Sequence, residues 1–204
     1  GAGSPVLRFR DRTCDPFAAF ERLSVADAFQ RHAGIDLLAT IRPDGTTDAA
    51  ALAAACAAVS LRTDAGDTWS DILSRALSDR VEPHLGIGRL TILDRYPAAE
   101  AALARPAPDD ARLAERFEVY ACGVELANGF GELTDPTEQR RRFEAEMDEK
   151  ARVYGLRYPI DEDFLDALAL MPAAAGIAMG FDRLVMLATG AARIDDVIWT
   201  PVPA

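Results

Sequence analysis

The sequence has few of the residues that build disulfide frameworks or metal centres. Its 204 residues include only three cysteines, Cys14, Cys56 and Cys122, which are odd in number, widely spaced and without a CxxC pair. Such a set argues against a disulfide framework or a zinc site and suits a reducing compartment. The two histidines, His32 and His84, stand apart in the sequence, so we interpret each as a surface or packing residue.

Long hydrophobic runs are also missing. None approaches the ~20 residues that a helix needs to cross a membrane. The chain does not open on a basic segment followed by an apolar stretch, so no secretory signal is indicated. These absences predict a soluble, cytoplasmic protein with no membrane partner. The first residue is Gly rather than Met, and the opening GAGSPVLRF resembles a cut edge or a tag remnant.

Positive charge is scarce. The chain carries 22 Lys and Arg against 33 Asp and Glu, a formal net charge of −11. Nucleic-acid binding depends on neutralising phosphates with basic side chains, so generic RNA or DNA binding is disfavoured and tRNA is not expected as a partner. The dense basic run Arg140-Arg141-Arg142 lies in a helical stretch rich in Glu, and we interpret it as a solvated helix face.

Half of the residues are hydrophobic, which is enough for one substantial core. We therefore expect a single domain over residues 1–204, with 1–20 as a poorly defined edge. Ser24 predicts the N-cap of a helix that ends before Gly34. Other helices are predicted at 46–61, 68–78 (entered through Asp67), 136–154, 162–169 and up to Gly190. Strands are predicted at 89–94, within 115–127, just before 181 and at 198–199, and they indicate an α+β fold, an antiparallel sheet backed by helices.

The stretch RFEVYACGVELANGFGEL, residues 116–133, places three glutamates seven residues apart among strand formers. A hairpin with a two-residue turn at Cys122-Gly123 is predicted. Its register pairs residues across the turn: Ala121 with Val124, Tyr120 with Glu125 and Glu118 with Ala127. Opposed residues share a face, as do residues two apart, so Glu118 and Glu125 point the same way with Cα atoms roughly 7–8 Å apart.

Two flexible carboxylates at that separation can hold a divalent cation, and hard oxygen donors suit Mg²⁺, which takes further ligands from water and phosphate. The pattern leaves a second interpretation open, an edge hairpin with solvated glutamates on its outer face. Gly129 and Gly131 interrupt the second strand, and a bulge there would return Asn128, Phe130 and Glu132 to the same site.

GIAMGFDRLVML, residues 176–187, predicts a strand of small residues that turns into an apolar helix. Gly176 and Gly180 would let a flat ligand lie on the strand, and the helix N-terminus opened by Asp182 favours anions. Arg183 could there meet a phosphate or stack over a purine. The alternative is that Arg183 extends from an amphipathic helix into solvent, which is the commoner outcome for so short a pattern.

The two segments together are far more specific than either alone. RFEVYACGVELANGFGELTD followed by GIAMGFDRLVML resembles the C-terminal catalytic half of class II lysyl-tRNA synthetases. ELANGF, AERFEVY, VEPHLG and ERLSVADAFQRHAGID look most like the short paralogue family that attaches β-lysine to elongation factor P. The resemblance runs from about Glu21 to Trp199. It implies a class II synthetase-like antiparallel sheet flanked by helices, with the N-terminal half missing from this chain, and a homodimer in the full-length protein.

The resemblance also implies roles for individual residues. Glu118 and Glu125 match the family's carboxylates that bind Mg²⁺ and ATP. Gly180 and Arg183 match the third signature motif, in which the Arg contacts the γ-phosphate side of bent ATP and stacks on adenine, so Arg183 is the candidate catalytic residue. Five residues match the pocket for lysine or (R)-β-lysine, with the last glutamate expected to receive the ammonium group: Glu125, Asn128, Phe130, Ala178 and Glu132.

Ala178 bears on the choice of substrate. Lysyl-tRNA synthetases typically have Gly at the matching position, whereas the elongation factor P ligases typically have Ala. The additional methyl would reshape the floor of the amino-acid pocket, an effect worth roughly 1–3 kcal/mol. This favours a β-amino acid over α-lysine.

The family's second signature motif, a strand–loop–strand whose Arg grips the α-phosphate, has no counterpart here. Leu7-Arg8-Phe9-Arg10-Asp11 looks like its start, but the expected partner strand does not follow, so we interpret it as a chance likeness. The resemblance implies that the full-length protein activates lysine or (R)-β-lysine with ATP and transfers it to a lysine of elongation factor P. The 204 residues alone are predicted to be weakly active or inactive. Two alternatives stay open, a catalytic fragment of a lysyl-tRNA synthetase and a degenerate module that only binds.

Overall fold

A computed structural model describes residues 5–101 and 103–200. Within these residues there are eight strands and six α-helices. The strands are β1 (Leu7–Phe9), β2 (Arg12–Asp15), β3 (Glu21–Ser24), β4 (Gly88–Arg89), β5 (Thr91–Asp94), β6 (Arg116–Ala121), β7 (Val124–Gly131) and β8 (Ala175–Met179). The helices are α1 (Val25–Ala28), α2 (Ala49–Ala58), α3 (Trp69–Ala76), α4 (Pro136–Tyr154), α5 (Glu162–Leu168) and α6 (Phe181–Thr189).

A five-stranded sheet in the order β3-β5-β6-β7-β8 lies at the centre of the fold. Its neighbours pair antiparallel, except that β3 runs parallel to β5. A small separate sheet has the order β1-β2-β4. The α+β fold with a mainly antiparallel sheet flanked by helices is therefore confirmed, and the parallel pair at one edge is an addition that the sequence pattern did not predict.

The helix ends follow the side chains that cap them. The Ser24 hydroxyl accepts from the Asp27 amide at the start of α1, as predicted, and the turn that follows α1 ends at Gly34 with φ of 70°. The predicted entry of α3 through Asp67 is wrong by one residue. Thr68 is the N-cap, and its hydroxyl and the Asp71 carboxylate satisfy each other's backbone amides in a capping box.

The long charged helix α4 has the predicted bounds. The Asp135 carboxylate accepts from the first amides of the helix, and Gly155 ends it with φ of 67°. A positive φ suits glycine at this position because glycine has no Cβ to clash. Helix α2 is shorter than predicted, since the Asp48 side chain caps it and places its first residue at Ala49 rather than Thr46.

Two hydrophobic clusters hold four of the six described α-helices on the strands. The larger joins one face of β3, β5 and β6 to α1, α2 and α3, through buried residues such as Leu93, Phe29 and Trp69. The smaller packs α6 against β1, β2 and the β6–β7 hairpin, through Leu7, Leu126 and Leu187 among others. Burial of apolar area at about 25 cal/mol per Å² is the main stabilising contribution of such clusters. The hairpin lies between them.

Two predicted features differ in the structure. The predicted strand 89–94 is divided at Leu90, because β4 pairs with β2 whereas β5 pairs with β3 and β6. The predicted strand at Ile198-Trp199 is wrong, since this segment is irregular and Trp199 is 95% exposed.

Two sequence-based expectations concern other parts of the chain. The run that resembles part of a second signature motif forms β1 and its turn, where Arg10 has φ of 56°, and so belongs to the small sheet. Among the described residues, no helix is both long enough and apolar enough to cross a bilayer.

Candidate functional site

The β6–β7 hairpin has the predicted turn but not the whole predicted register. Ala121 pairs with Val124 and Tyr120 with Glu125, as expected. The third predicted pair is wrong, because Glu118 lies opposite Asn128 instead of Ala127. The register shifts between the pairs of Val119 and Tyr120, which leaves Leu126 as an extra residue in β7.

This bulge brings the predicted site residues to one face of the sheet. Residues two apart along a strand and residues directly opposed across two strands share a face. We call it the carboxylate face, and it is formed by Glu118 and Tyr120 of β6, Glu125, Asn128 and Phe130 of β7, and Gly176 and Ala178 of β8. A bulge was predicted at Gly129 and Gly131, and that position is wrong. Both glycines face the other side of the sheet, where a Cβ on Gly129 would lie 2.5 Å from the Phe117 ring.

Glu118 is the buried centre of the carboxylate face. The residue is 5% exposed, and each of its carboxylate oxygens accepts two hydrogen bonds. The four donors are the Tyr96 hydroxyl at 2.5 Å and the Tyr120 hydroxyl at 2.7 Å on Oε2, and the Arg116 guanidinium at 2.6 Å and the Asn128 Nδ2 at 3.2 Å on Oε1. Burial of a carboxylate is tolerated only with such compensation, and the four hydrogen bonds hold the Glu118 carboxylate in one position.

The two tyrosines keep their protons. Burial is the first cause that raises the pKa of Tyr96 well above its ordinary value, and the negative charge of Glu118 adds to it. Burial also raises the pKa of Tyr120, with further contributions from Tyr96 and Glu118. Both hydroxyls therefore act as donors to the carboxylate. The Tyr120 hydroxyl also lies 3.1 Å from Oε1 of Glu82, whose pKa is raised by its burial and by the charges of Glu118 and Glu125.

In the described part of the chain, the side-chain amide of Asn128 is hydrogen-bonded at its nitrogen but not at its oxygen. Its Nδ2 donates to Glu118, while its Oδ1 is buried without a hydrogen-bond partner among the described residues. The reverse orientation of the amide would place two oxygen atoms against each other, so the carboxylate fixes which end faces away. A buried acceptor without a partner is costly, and a ligand that brings an N–H donor would remove that cost.

Glu132 follows β7 on the same side of the sheet. Its backbone amide donates to the carbonyl of Ala174, and its carboxylate makes no hydrogen bond or ion pair with another residue of the described segments. Gly176 leaves room for this carboxylate, since a Cβ there would lie 2.7 Å from Oε1 of Glu132. Phe130 pairs with Gly176 between Asn128 and Glu132. The arrangement offers an acceptor, an anion and an apolar wall to one ligand.

Ala178 and Arg183 complete the set of predicted residues. Ala178 pairs with Asn128 across the β7–β8 ladder, so its methyl lies beside the amide on the carboxylate face. Arg183, in the first turn of α6, donates to the Glu125 carbonyl at 2.9 Å and to Oε2 of Glu125 at 3.1 Å. Gly180 is the residue before α6, and a Cβ there would come 3.3 Å from the Arg183 side chain. Arg183 thus points back to the hairpin rather than into solvent alone.

The carboxylate oxygens of this face are ligands that suit Mg²⁺. The two carboxylates, Glu125 and Glu118, are not equally available to a cation. Glu125 is half-buried and has one charged partner, Arg183, so it can bind a cation as it stands. Glu118 would have to exchange one of its four hydrogen bonds to bind a cation directly. Within the described residues no group of three or more His, Cys, Asp or Glu side chains is placed to hold a metal ion. A cation here would take its other ligands from water or phosphate, as Mg²⁺ commonly does.

Four residues of the site were missed from the sequence. Arg116 and Tyr120 lie two residues either side of Glu118 in β6, so strand alternation alone could have found them. Glu82 belongs to the VEPHLG segment, whose function was left unassigned. Tyr96 gives no local signal, because it lies 22 residues before Glu118 and meets it only through the β5–β6 pairing.

The fold and the site together define an α+β domain in which a mainly antiparallel sheet presents acidic and amide side chains beside an Arg at a helix start. The family model of tRNA synthetases class II (D, K and N) matches residues 9–203. The chain belongs to this family, and the class II synthetase assignment made from the sequence is confirmed.

The chain is also similar in sequence to curated proteins that share one name. A protein of Salmonella arizonae named elongation factor P–(R)-β-lysine ligase is 45% identical over 179 residues, which are 87% of this chain and 54% of the relative. Proteins of the same name from Salmonella dublin and Salmonella paratyphi B are 44% identical over 182 residues, with the same shares. The chain therefore spans about half the length of these relatives.

Proposed function

We propose that the protein containing this chain is an ATP-dependent ligase that activates lysine or (R)-β-lysine as an aminoacyl adenylate and transfers it to a lysine of elongation factor P. The observation that carries the proposal is that two groups on one face, Oδ1 of Asn128 and the carboxylate of Glu132, have no partner within residues 5–101 and 103–200. Both accept hydrogen bonds, and together they suit an ammonium group. The names of the curated relatives support the same substrate and the same partner.

The residues of this chain have binding and orienting roles in the proposed reaction. Glu132 and Asn128 would receive the substrate ammonium, with Phe130 against its methylenes. Glu125 and Glu118 would hold Mg²⁺, which when bound neutralises phosphate charge, and Arg183 would bind the phosphates. In the first step a carboxylate oxygen of the substrate attacks the α-phosphorus of ATP and pyrophosphate leaves. In the second, the lysine amine of elongation factor P attacks the activated carbonyl and AMP leaves. Positioning and charge stabilisation carry such chemistry.

Pyrophosphate exchange tests the first step. The longest natural protein that contains this chain should exchange pyrophosphate into ATP in the presence of (R)-β-lysine or lysine, and Glu125→Gln should abolish the exchange. Glu144→Gln, an exposed glutamate on α4, is the matched control and should leave the rate unchanged.

Transfer tests the second step. Elongation factor P incubated with ATP and (R)-β-lysine should gain the mass of one β-lysyl group. Charging of tRNA in place of the factor would instead favour a lysyl-tRNA synthetase. Absence of both exchange and ATP binding would favour a non-catalytic module, and either result would refute the proposal.

A further inference from the structure

Two buried tyrosines converge on the carboxylate that faces Asn128. The hydroxyls of Tyr96 and Tyr120 lie 2.5 Å and 2.7 Å from the same atom, Oε2 of Glu118. Both rings are almost fully buried in the larger hydrophobic cluster. Tyr96 comes from the segment after β5 and Tyr120 from β6, so one carboxylate oxygen is fixed from two directions.

The carboxylate passes this constraint on to Asn128. Because a carboxylate is planar and rigid, fixing Oε2 of Glu118 also limits where Oε1 can lie. Oε1 accepts from Nδ2 of Asn128 at 3.2 Å and from Arg116 at 2.6 Å. An ionised carboxylate only accepts, so the amide of Asn128 turns its amino group toward Glu118 and its oxygen away. That oxygen is the buried atom without a partner in the described part of the chain.

We propose that Tyr96 and Tyr120 are positioning residues of the amino-acid pocket, which act through Glu118 to aim Oδ1 of Asn128 at the ammonium group of the substrate. The substrate in this statement rests on the proposed function. Tyr96 and Tyr120 lie outside the predicted pocket. Their effect on the orientation of the Asn128 amide can be measured without following the reaction.

Substitution of Tyr96 removes fewer other contacts than substitution of Tyr120. Tyr96→Phe removes one donor to Glu118 and keeps the ring, over which the Arg116 guanidinium lies 4.4 Å from the centroid. Tyr120→Phe also removes the contact between the Tyr120 hydroxyl and Glu82. Tyr154→Phe, on an exposed side chain of α4, is the matched control.

The sequence provides a selective probe. Asn128 is the only asparagine among the 204 residues, so ¹⁵N labelling of asparagine gives one side-chain amide nitrogen signal, with its pair of protons, in the NMR spectrum of the chain. Tyr96→Phe should shift this signal and exchange it faster with solvent, and Tyr154→Phe should leave it in place. A folded Tyr96→Phe variant with an unchanged Asn128 signal would overturn the proposal. If Tyr96→Phe does not fold, Tyr120→Phe is measured in the same way, and loss of the fold in both would show a structural role and overturn it as well.

Steady-state kinetics on the longer protein give the second readout. Tyr96→Phe should raise KM for the amino acid roughly tenfold to a hundredfold, the effect of losing the hydrogen bond between Oδ1 of Asn128 and the charged ammonium group. KM for ATP should rise less, because Glu125 and Arg183 keep their places. An equal rise in both KM values, or in neither, contradicts the positioning role. If the wild-type protein activates no lysine compound, the proposed function fails, and the Asn128 signal alone then decides whether the tyrosines position the amide.

Discussion

Replacement of Glu118 by Gln is predicted to lower the free energy of unfolding by about 3 kcal/mol. The side chains of Glu118 and Arg116 are 7% and 18% exposed, so this ion pair is largely removed from water. Breaking such a pair by neutralising one partner costs about 3–5 kcal/mol, because the other charge is left buried. The lower end applies here, since Gln keeps an oxygen for Arg116, and the hydroxyls of Tyr96 and Tyr120 can turn to accept from its amino group.

Thermal and urea denaturation followed by circular dichroism measure this change. For a domain of this size a loss of about 3 kcal/mol lowers the melting temperature by about 6–12 °C. Glu132→Gln is the matched control, because the Glu132 carboxylate makes no hydrogen bond or ion pair within the described residues, and it should stay within about 0.5 kcal/mol of wild type. The reasoning is refuted if Glu118→Gln is as stable as wild type or if the two variants lose stability equally.

Three further predictions concern the pocket, its specificity and pH. In the longer protein Glu132→Gln should raise KM for the amino acid roughly tenfold to a hundredfold by pyrophosphate exchange, and an unchanged KM would remove Glu132 from the pocket. Ala178→Gly should shift the ratio of kcat/KM values toward α-lysine by roughly tenfold or more, and a constant ratio would show that the methyl does not discriminate. Hydrogen bonds from Arg141 and then Arg142 lower the pKa of Glu138 from 4.5 to about 2. Because the folded pKa is depressed, the stabilisation is present above the unfolded value and is lost as pH falls to about 2. Glu138→Gln should thus cost about 1–2 kcal/mol at pH 7 and much less near pH 2 in urea titrations, and a cost independent of pH would contradict the pair.

Features set by neighbouring residues could be predicted from the sequence. The turn at Cys122-Gly123 needs positive φ at both positions, and the structure has 57° and 73° there, the geometry that joins two strands through a two-residue hairpin. The bounds of α4 follow from Asp135 and Gly155 in the same way. In each case the determining side chain lies within a few residues of the feature that it sets.

Features set by packing between distant segments could not be predicted. The contact of Tyr96 with Glu118 requires the β5–β6 pairing, which is fixed by the cluster around Leu93 and not by any local pattern. The predicted pairing of Glu118 with Ala127 was wrong for the same reason, since packing between distant segments also sets the register of the hairpin. Gly129 and Gly131 marked the strand as irregular, but they serve close packing against Phe117 and Glu115 on the opposite face.

The bulge at Leu126 explains how the single strand β7 carries both a predicted Mg²⁺ ligand, Glu125, and a predicted substrate-binding residue, Asn128. Residues three apart on a regular strand point to opposite faces, so Glu125 and Asn128 cannot share a site unless one residue between them is left out of the ladder. The Leu126 side chain is buried in the cluster under α6, and its carbonyl accepts from the amide of Gly180 at 2.8 Å, directly before that helix. The segment that carries Arg183 therefore contacts both the side chain and the carbonyl of the extra residue. Since Arg183 in turn donates to Glu125, the packing that stabilises the irregular register also joins the two halves of the candidate site.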